Sequence, residues 1–189
     1  MVHQGMEIRP LPPRATGAEG YDGFWKLLHW LIAALVLIQF ATKLLTPANS
    51  SLTEAELNAW HLAVGPSILA LMLVRLLWRL THRPPPPPAD LGAGLQLLAR
   101  GTHWAFYAVL IALPVVGWLA ASAYAVTPYV FGVIPLPALL PHDDKVGEAI
   151  GRVHGALAWV LIVLAGLHVC GAFYHAAFKR DGVFSRMLP

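Results

Sequence analysis

The chain has 189 residues, of which 57% are hydrophobic and 12% are charged, whereas ordinary soluble domains have about 45–50% apolar and about 25% charged residues. A soluble protein of this size could not bury so much apolar surface, so the composition excludes a compact water-soluble enzyme and indicates a membrane protein. The net charge of +3 does not indicate a nucleic-acid partner. The single cysteine, Cys170, excludes an intrachain disulfide and an iron–sulfur cluster.

Four apolar stretches are long enough to cross the hydrocarbon core of a bilayer as helices, since about 20 residues suffice. They span approximately residues 24–45, 58–79, 101–123 and 149–177. The first 23 residues are predicted to be a flexible tail, and residues 180–189 a short C-terminal tail. Five consecutive prolines at 84–88 predict an extended connection outside the bilayer. The uncharged segment TPYVFGVIPLPALLP, residues 127–141, contains four prolines and is predicted to be an apolar loop on the membrane surface.

Basic residues are distributed unevenly between the two sides that four spans create. Four spans place both termini on one side, and that side carries ten of the thirteen lysines and arginines; the opposite side carries Lys43, Lys145 and Arg152. The positive-inside rule therefore places both termini in the cytoplasm. Together these features predict an all-α, four-helix integral membrane bundle.

Histidine recurs in every predicted span, whereas Asp and Glu are absent from the span cores. Ionisable residues inside a bilayer are costly and by default indicate a functional site. His61 and His154 lie at the start of spans two and four, near the outer, non-cytoplasmic face. The histidines predicted to lie near the cytoplasmic face are His29, His103, His168 and His175.

The spacing of the histidines predicts two pairs at different depths. His154 and His168 are 14 residues apart, about 21 Å along a helix, and project from nearly the same face. His61 is the other histidine of the outer leaflet, so it forms an outer pair with His154. In the inner leaflet, His168 pairs with His29 or with His103, and spacing alone leaves this choice open.

Paired imidazoles from facing helices suit bis-histidine ligation of b-type haem, a flat apolar cofactor that fits between bundle helices. Covalent c-type attachment is excluded because the chain has no Cys-x-x-Cys-His motif. Ordinary interfacial histidines are one alternative. A zinc site is another, but metal transporters usually add intramembrane Asp or Glu.

Four segments resemble the helices of the bacterial cytochrome b561 family: YDGFWKLLHWL, HLAVGPSILALMLVRLLWRL, HWAFYAVLIALPVVGW and HGALAWVLIVLAGLHVCGAFYHAAFKRDGVFSRMLP. The resemblance runs from Tyr21 to Pro189. Its most specific part combines LHW, an H-x3-G motif followed by RLxWRL, and two histidines 14 residues apart. It is a resemblance to the four-helix bacterial branch, not to the six-helix ascorbate-linked eukaryotic proteins.

The resemblance implies a multi-pass protein of the bacterial cytoplasmic membrane with two haem b groups, the inner held by His29 and His168 and the outer by His61 and His154. It further implies a quinone pocket near His175 and Lys26. Similar proteins are superoxide oxidases, which pass electrons from superoxide outside, through both haems, to ubiquinone. Other relatives are cytochrome subunits that connect a partner hydrogenase or dehydrogenase to the quinone pool, and this is the alternative function.

Arg152 is the candidate catalytic residue on the donor side. Superoxide is an anion, and Arg152 is the outer cation nearest in sequence to an outer histidine, two residues before His154. A cation there would attract the anion to the outer haem. Alternatively, Arg152 pairs with Glu148, four residues earlier on the same helical face.

Overall fold

The computed structural model describes residues 20–44, 53–86 and 91–188. These residues form four long helices, α1 (Gly23–Leu44), α2 (Glu54–Thr81), α3 (Ala93–Ala123) and α4 (Asp144–Tyr174). All four are long and apolar enough to cross a membrane, so the chain has the four-helix membrane fold that the sequence predicts. The predicted tail up to residue 19, and Pro87 and Pro88 of the proline run, lie outside the described residues.

Polar caps start α2 and α4 well before their apolar stretches. The Thr53 hydroxyl accepts a hydrogen bond from the Glu56 N–H, and the Glu56 carboxylate accepts one from the Thr53 N–H, which is a capping box. Asp143 caps α4 by accepting from two backbone N–H groups of the first turn. His61 and His154 therefore lie about two and about three turns inside their helices, deeper than a helix start.

The helices pack in chain order, α1 on α2, α2 on α3 and α3 on α4. Among the described helices, α4 packs closely only against α3, and Gly147 and Leu161 are its only buried residues. Its large exposed apolar side chains, such as Leu167 and Phe173, suit contact with lipid. As a result, α4 lies farther from α1 and α2 than from α3, and we call the region between α4 and these two helices the gap.

Leu161 fills the middle of this gap. Its side chain is 2% exposed and belongs to an apolar cluster with Ile32, Ile68, Met72 and Leu110. Leu161 is seven residues from both His154 and His168, so all three residues project from nearly one face of α4. We call this cluster the central apolar layer; it lies between the depths of the two histidine pairs.

The two described chain ends meet at one end of the bundle, which we call the terminal end. The Tyr21 N–H donates to the Arg186 carbonyl at 3.2 Å, and the Trp30 indole N–H donates to the Met187 carbonyl at 2.9 Å. The Arg186 guanidinium donates to the Pro86 carbonyl at 2.8 Å. The segment that follows α4 thus ties the start of α1 to the connection that leaves α2.

The opposite end, the hairpin end, is covered by the α3–α4 connection. The predicted surface loop contains two short antiparallel strands, β1 (Tyr129–Val130) and β2 (Ile134–Pro135), which pair Tyr129 with Pro135 and Val130 with Ile134. Phe131 and Gly132 both have positive φ, 52° and 71°, as a type I′ hairpin turn requires. The Phe131 N–H donates to the Ser67 hydroxyl of α2 at 2.7 Å, which holds the hairpin against the bundle.

Candidate functional site

Two imidazole pairs bridge the gap between α4 and the first two helices. The ring centres of His61 and His154 lie 6.0 Å apart with an interplanar angle of 74°. The ring centres of His29 and His168 lie 6.2 Å apart at 66°. The first pair is on the hairpin side of the central apolar layer and the second on the terminal side. The structure therefore brings together the outer pair and one of the two candidate inner pairs.

The third inner histidine also reaches His168. The ring centre of His103 lies 5.9 Å from that of His168, so His168 has a histidine neighbour on both α1 and α3. The His103 Nδ1 donates to the Ala99 carbonyl at 2.7 Å. Phe106 contacts the His168 ring edge-on at 5.3 Å. Ring distances alone thus leave both inner pairings open, as the spacing in the sequence does.

The hydrogen bonds of these rings leave nitrogen atoms available to a ligand. The His154 Nδ1 donates to the Leu113 carbonyl at 3.1 Å, which leaves Nε2 as the metal-binding nitrogen. The His61 Nδ1 is buried without a hydrogen-bond partner among the described residues. Within that same part of the chain, the ring nitrogens of His29 and His168 make no hydrogen bond. Buried polar atoms without partners are costly, so the gap suits an added group that binds them.

The ring separations fit two imidazoles on opposite sides of one metal ion. A metal–imidazole bond is about 2 Å long and each ring centre lies about 1 Å behind its nitrogen, so the two centres would be about 6 Å apart. Structural zinc takes four protein ligands, whereas the described ranges contain no cluster of three or more His, Cys, Asp or Glu side chains placed to hold a metal. Isolated pairs suit a metal that brings its own equatorial ligands, as haem iron does.

At the terminal end, His175 lies in a π-helical turn, His175–Lys179, that continues α4. Its Nδ1 donates to the Asp181 carboxylate at 2.7 Å, and that carboxylate also accepts from the Val183 N–H at 3.1 Å. Burial raises the pKa of Asp181, but the hydrogen bonds from His175 and Val183 together hold the pKa of this carboxyl below its usual value. Lys26 is half-buried on α1, and its ammonium makes no hydrogen bond to His175.

The pairing of Asp181 with His175 was not predicted from the sequence. The six-residue separation does not match an α-helical face, and the π-turn and the left-handed Arg180, with φ 51°, are what bring the two side chains together. The acidic residue in the otherwise basic segment FKRDG was the one available signal.

At the hairpin end, Arg152 is exposed and its guanidinium donates to the Glu148 carboxylate at 2.7 Å. The ion pair that the sequence offered as an alternative is therefore present. The Lys43 ammonium donates to the Asn58 side-chain oxygen at 2.7 Å, and Asn58 lies one turn before His61 on α2. Lys43 is one of the three outer cations that the sequence indicates, and its contact with Asn58 depends on how α1 packs on α2.

A family model described as prokaryotic cytochrome b561 matches residues 20–189. Cytochrome b561 homolog 2 of Escherichia coli (strain K12) is 29% identical over 177 residues, which cover 90% of this chain and 92% of that protein. The probable superoxide oxidase CybB of Yersinia pestis is 28% identical over 166 residues, which cover 86% of this chain and 92% of that protein. The family model includes all four helices and both histidine pairs. The chain is therefore a multi-pass protein of the bacterial inner membrane that belongs to the prokaryotic cytochrome b561 family, whose members hold b-type haem and transfer electrons in the membrane.

Proposed function

We propose that the protein is a superoxide oxidase that binds two haem b groups, the outer one between His61 and His154 and the inner one between His29 and His168. Electrons from superoxide on the outer side reach ubiquinone on the cytoplasmic side. The observation that carries this proposal is the presence of two imidazole pairs, about 6 Å between ring centres, at two depths of one apolar gap. The name of one relative, a probable superoxide oxidase, supports the choice of donor.

Helix packing favours His29 over His103 as the inner partner of His168. His103 lies on α3, which packs directly on α4, so a flat macrocycle between these two rings would have to separate packed helices. His29 lies on α1, which faces α4 across the gap. The resemblance of the motifs around His29 and His168 to those of the family supports the same assignment.

Each haem would supply a one-electron carrier at its own depth. The residues of the chain hold and separate the two sites. The Leu113 carbonyl orients His154 and increases the basicity of its other nitrogen. The central apolar layer around Leu161 excludes water between the sites. No acidic side chain from α1 or α3 enters this region, since neither helix contains Asp or Glu.

On the acceptor side, we place ubiquinone beside His175 at the terminal end. His175 follows His168 by seven residues, two turns further along nearly the same face. Two superoxide ions give up one electron each, and ubiquinone takes two electrons and two protons to become ubiquinol. Asp181 fixes the His175 Nδ1 as a donor, so that Nε2 exchanges the proton with the quinone. Lys26 provides a second hydrogen-bond donor.

The distribution of basic residues supports a cytoplasmic terminal end and an outer hairpin end. The described cations of the hairpin end, Lys43, Lys145 and Arg152, are the groups that would attract superoxide. Arg152 lies two residues before His154 and keeps its role as the catalytic candidate, although its pairing with Glu148 reduces the net positive charge presented to the anion.

The direct test is stopped-flow mixing of the purified, oxidised protein with superoxide, followed by a short-chain ubiquinone. We expect superoxide to reduce the haem absorbance bands and the quinone to reoxidise them. Added superoxide dismutase should abolish the first phase. Haem that is reduced by dithionite but not by superoxide would contradict the proposed donor.

One feature of the hairpin end favours a second candidate, an electron-transfer subunit that receives electrons from a docked protein. The hairpin exposes large apolar side chains, including Phe131 at 60%, Val133 at 77% and Ile134 at 58%. Such a surface is typical of a protein-docking site. If superoxide fails while a hydrogenase or periplasmic cytochrome encoded next to this chain reduces the haem, the subunit function replaces the oxidase function.

A further inference from the structure

Two arginines on α2 lie one turn apart and reach towards the two neighbouring helices. The Arg75 guanidinium lies 5.7 Å from the centre of the Trp25 ring on α1, and one of its N–H groups lies 3.4 Å from the Trp25 carbonyl oxygen. The Arg79 guanidinium lies 5.0 Å and 5.6 Å from the ring centres of Trp104 and Tyr107 on α3. Both arginines are half-buried.

These positions flank the inner histidines. Trp25 lies one turn before His29, and Tyr107 lies one turn after His103. Arg75 is six residues before the end of α2 and His29 six residues after the start of α1, so each lies about 9 Å inside its helix from the terminal end. Arg75 therefore lies at about the depth of His29, and Arg79 lies one turn closer to the membrane surface.

Neither guanidinium has an acidic partner among the described residues. The acidic residues of α2 and α4 lie in the first two turns of each helix, at the opposite end of the bundle. At the terminal end, Asp22 accepts from the backbone N–H groups of Phe24 and Trp25, and Asp181 holds His175. Two half-buried cations thus remain without a counter-charge in this part of the chain, which is costly in a membrane.

Tyr107 adds a second sign of an anionic ligand. Its side chain is only 6% exposed, and its buried hydroxyl lies beside the Arg75 guanidinium without an acceptor for its own proton among the described residues. The same ring lies beneath the Arg79 guanidinium. A buried hydroxyl and two half-buried guanidinium groups that lack an acidic partner among the described residues point to a ligand with several anionic oxygens.

We propose that Arg75, Arg79 and Tyr107 form a carboxylate-binding site that holds a propionate of the inner haem. This inference rests on the proposed haem between His29 and His168. Haem carries two propionates on one edge of an otherwise apolar ring, and arginine recognises carboxylates through paired N–H donors. The site fixes the rotation of the ring, with its acidic edge towards the terminal end. An anionic lipid headgroup offers similar oxygens, so the test separates the two sources.

The test measures transfer of haem from the holoprotein to excess apomyoglobin, after loading either haem b or its dimethyl ester, which has no carboxylate. Four proteins are compared: the wild type, Arg75→Gln, Tyr107→Phe and the control Arg100→Gln, which replaces an exposed arginine near the same end of α3. We expect Arg75→Gln to release the inner haem at least about 10-fold faster than the wild type, the size of a lost hydrogen bond to a charged group. The outer haem and the Arg100→Gln protein should be unaffected.

The decisive result comes from combining esterification of the haem with the Arg75→Gln substitution. Esterification should accelerate release of the inner haem from the wild type but have little further effect in Arg75→Gln. Equal acceleration in both proteins would overturn the proposal and indicate a lipid phosphate as the partner of Arg75. Tyr107→Phe removes one hydroxyl and should also accelerate release of the inner haem, by a smaller factor. This variant tests the proposal if Arg75→Gln does not fold. A wild type without an inner haem would refute the proposed function itself, which is a different outcome from equal ester effects with both haems bound.

Discussion

His154 rests directly against Gly117 of α3. A Cβ added at residue 117 would lie 3.0 Å from the His154 Cε1 and 3.1 Å from its Nδ1, shorter than side-chain contacts normally are. The bare backbone at this position is therefore what allows the imidazole to reach the Leu113 carbonyl, four residues before Gly117. Gly117 is a structural requirement of the outer site.

Gly117→Ala should displace the His154 ring and weaken the outer haem site. We expect the haem content to fall from about two per chain towards one, because the inner site lies on the other side of the central apolar layer. A pyridine haemochrome assay measures this. Gly101→Ala is the matched control, since Gly101 lies on the same helix with open space around it. Equal haem loss in both variants would show a general effect on α3 and contradict the prediction.

Histidine substitutions should remove the two haems independently. His61→Ala and His154→Ala are each expected to lose the outer haem alone, and His29→Ala and His168→Ala the inner haem alone. His103→Ala should retain both, since its helix packs directly on α4. Haem content together with low-temperature absorbance spectra separates the cases. Loss of the inner haem in His103→Ala but not in His29→Ala would assign the third histidine as the ligand.

The ion pair between Arg152 and Glu148 allows a two-sided test of superoxide attraction. Arg152→Gln should slow haem reduction by superoxide about threefold at low salt, and Glu148→Gln should accelerate it, because the arginine charge is then uncompensated. The second-order rate is measured across ionic strength, and high salt should remove both effects. Arg100→Gln, which removes an exposed cation at the terminal end of the bundle, is the control and should not change the rate. Rates that respond to neither substitution nor salt would favour a docked protein donor.

His175→Ala should slow reoxidation of the haem by short-chain ubiquinone about 100-fold, the usual scale for loss of a proton-transfer group. Reduction by superoxide should be unchanged, because the two reactions occur at opposite ends of the bundle. Stopped-flow traces with each reagent separate the effects. Unchanged quinone-linked reoxidation would show that His175 is an interfacial residue with a structural role alone.

Asp181 should stabilise the terminal end in a pH-dependent manner. Since its pKa in the folded protein is below the unfolded value of about 3.9, its stabilisation is present above that pH and is lost as the pH falls through the lower value. Asp181→Asn should therefore lower the melting temperature at neutral pH, and the difference from the wild type should shrink below about pH 4. Thermal unfolding in detergent, followed by circular dichroism, measures this. A difference that is constant with pH would contradict the assigned ionisation.

Much of the architecture could be predicted because a bilayer restricts the secondary structures that a spanning segment can adopt. Spanning segments must satisfy their own backbone hydrogen bonds, so four apolar stretches of sufficient length indicate four helices. The depth of His154 relative to His168 follows from the helical rise alone. The first residues of α2 and α4 could not be predicted as well. The capping groups Thr53 and Asp143 start these helices with polar turns, which a hydrophobicity pattern does not include.

The sequence by itself determined the membrane class, the number of spans, the family resemblance and the pairing of His61 with His154, since each depends on local composition or on spacing along a helix. Only the tertiary structure decided which groups meet across helices. It placed Gly117 under His154, joined His175 to Asp181 through a π-turn, and brought Arg75 and Tyr107 beside the inner histidines. These contacts depend on the rotation and separation of whole helices and on one left-handed residue, Arg180, which no periodicity in the sequence encodes.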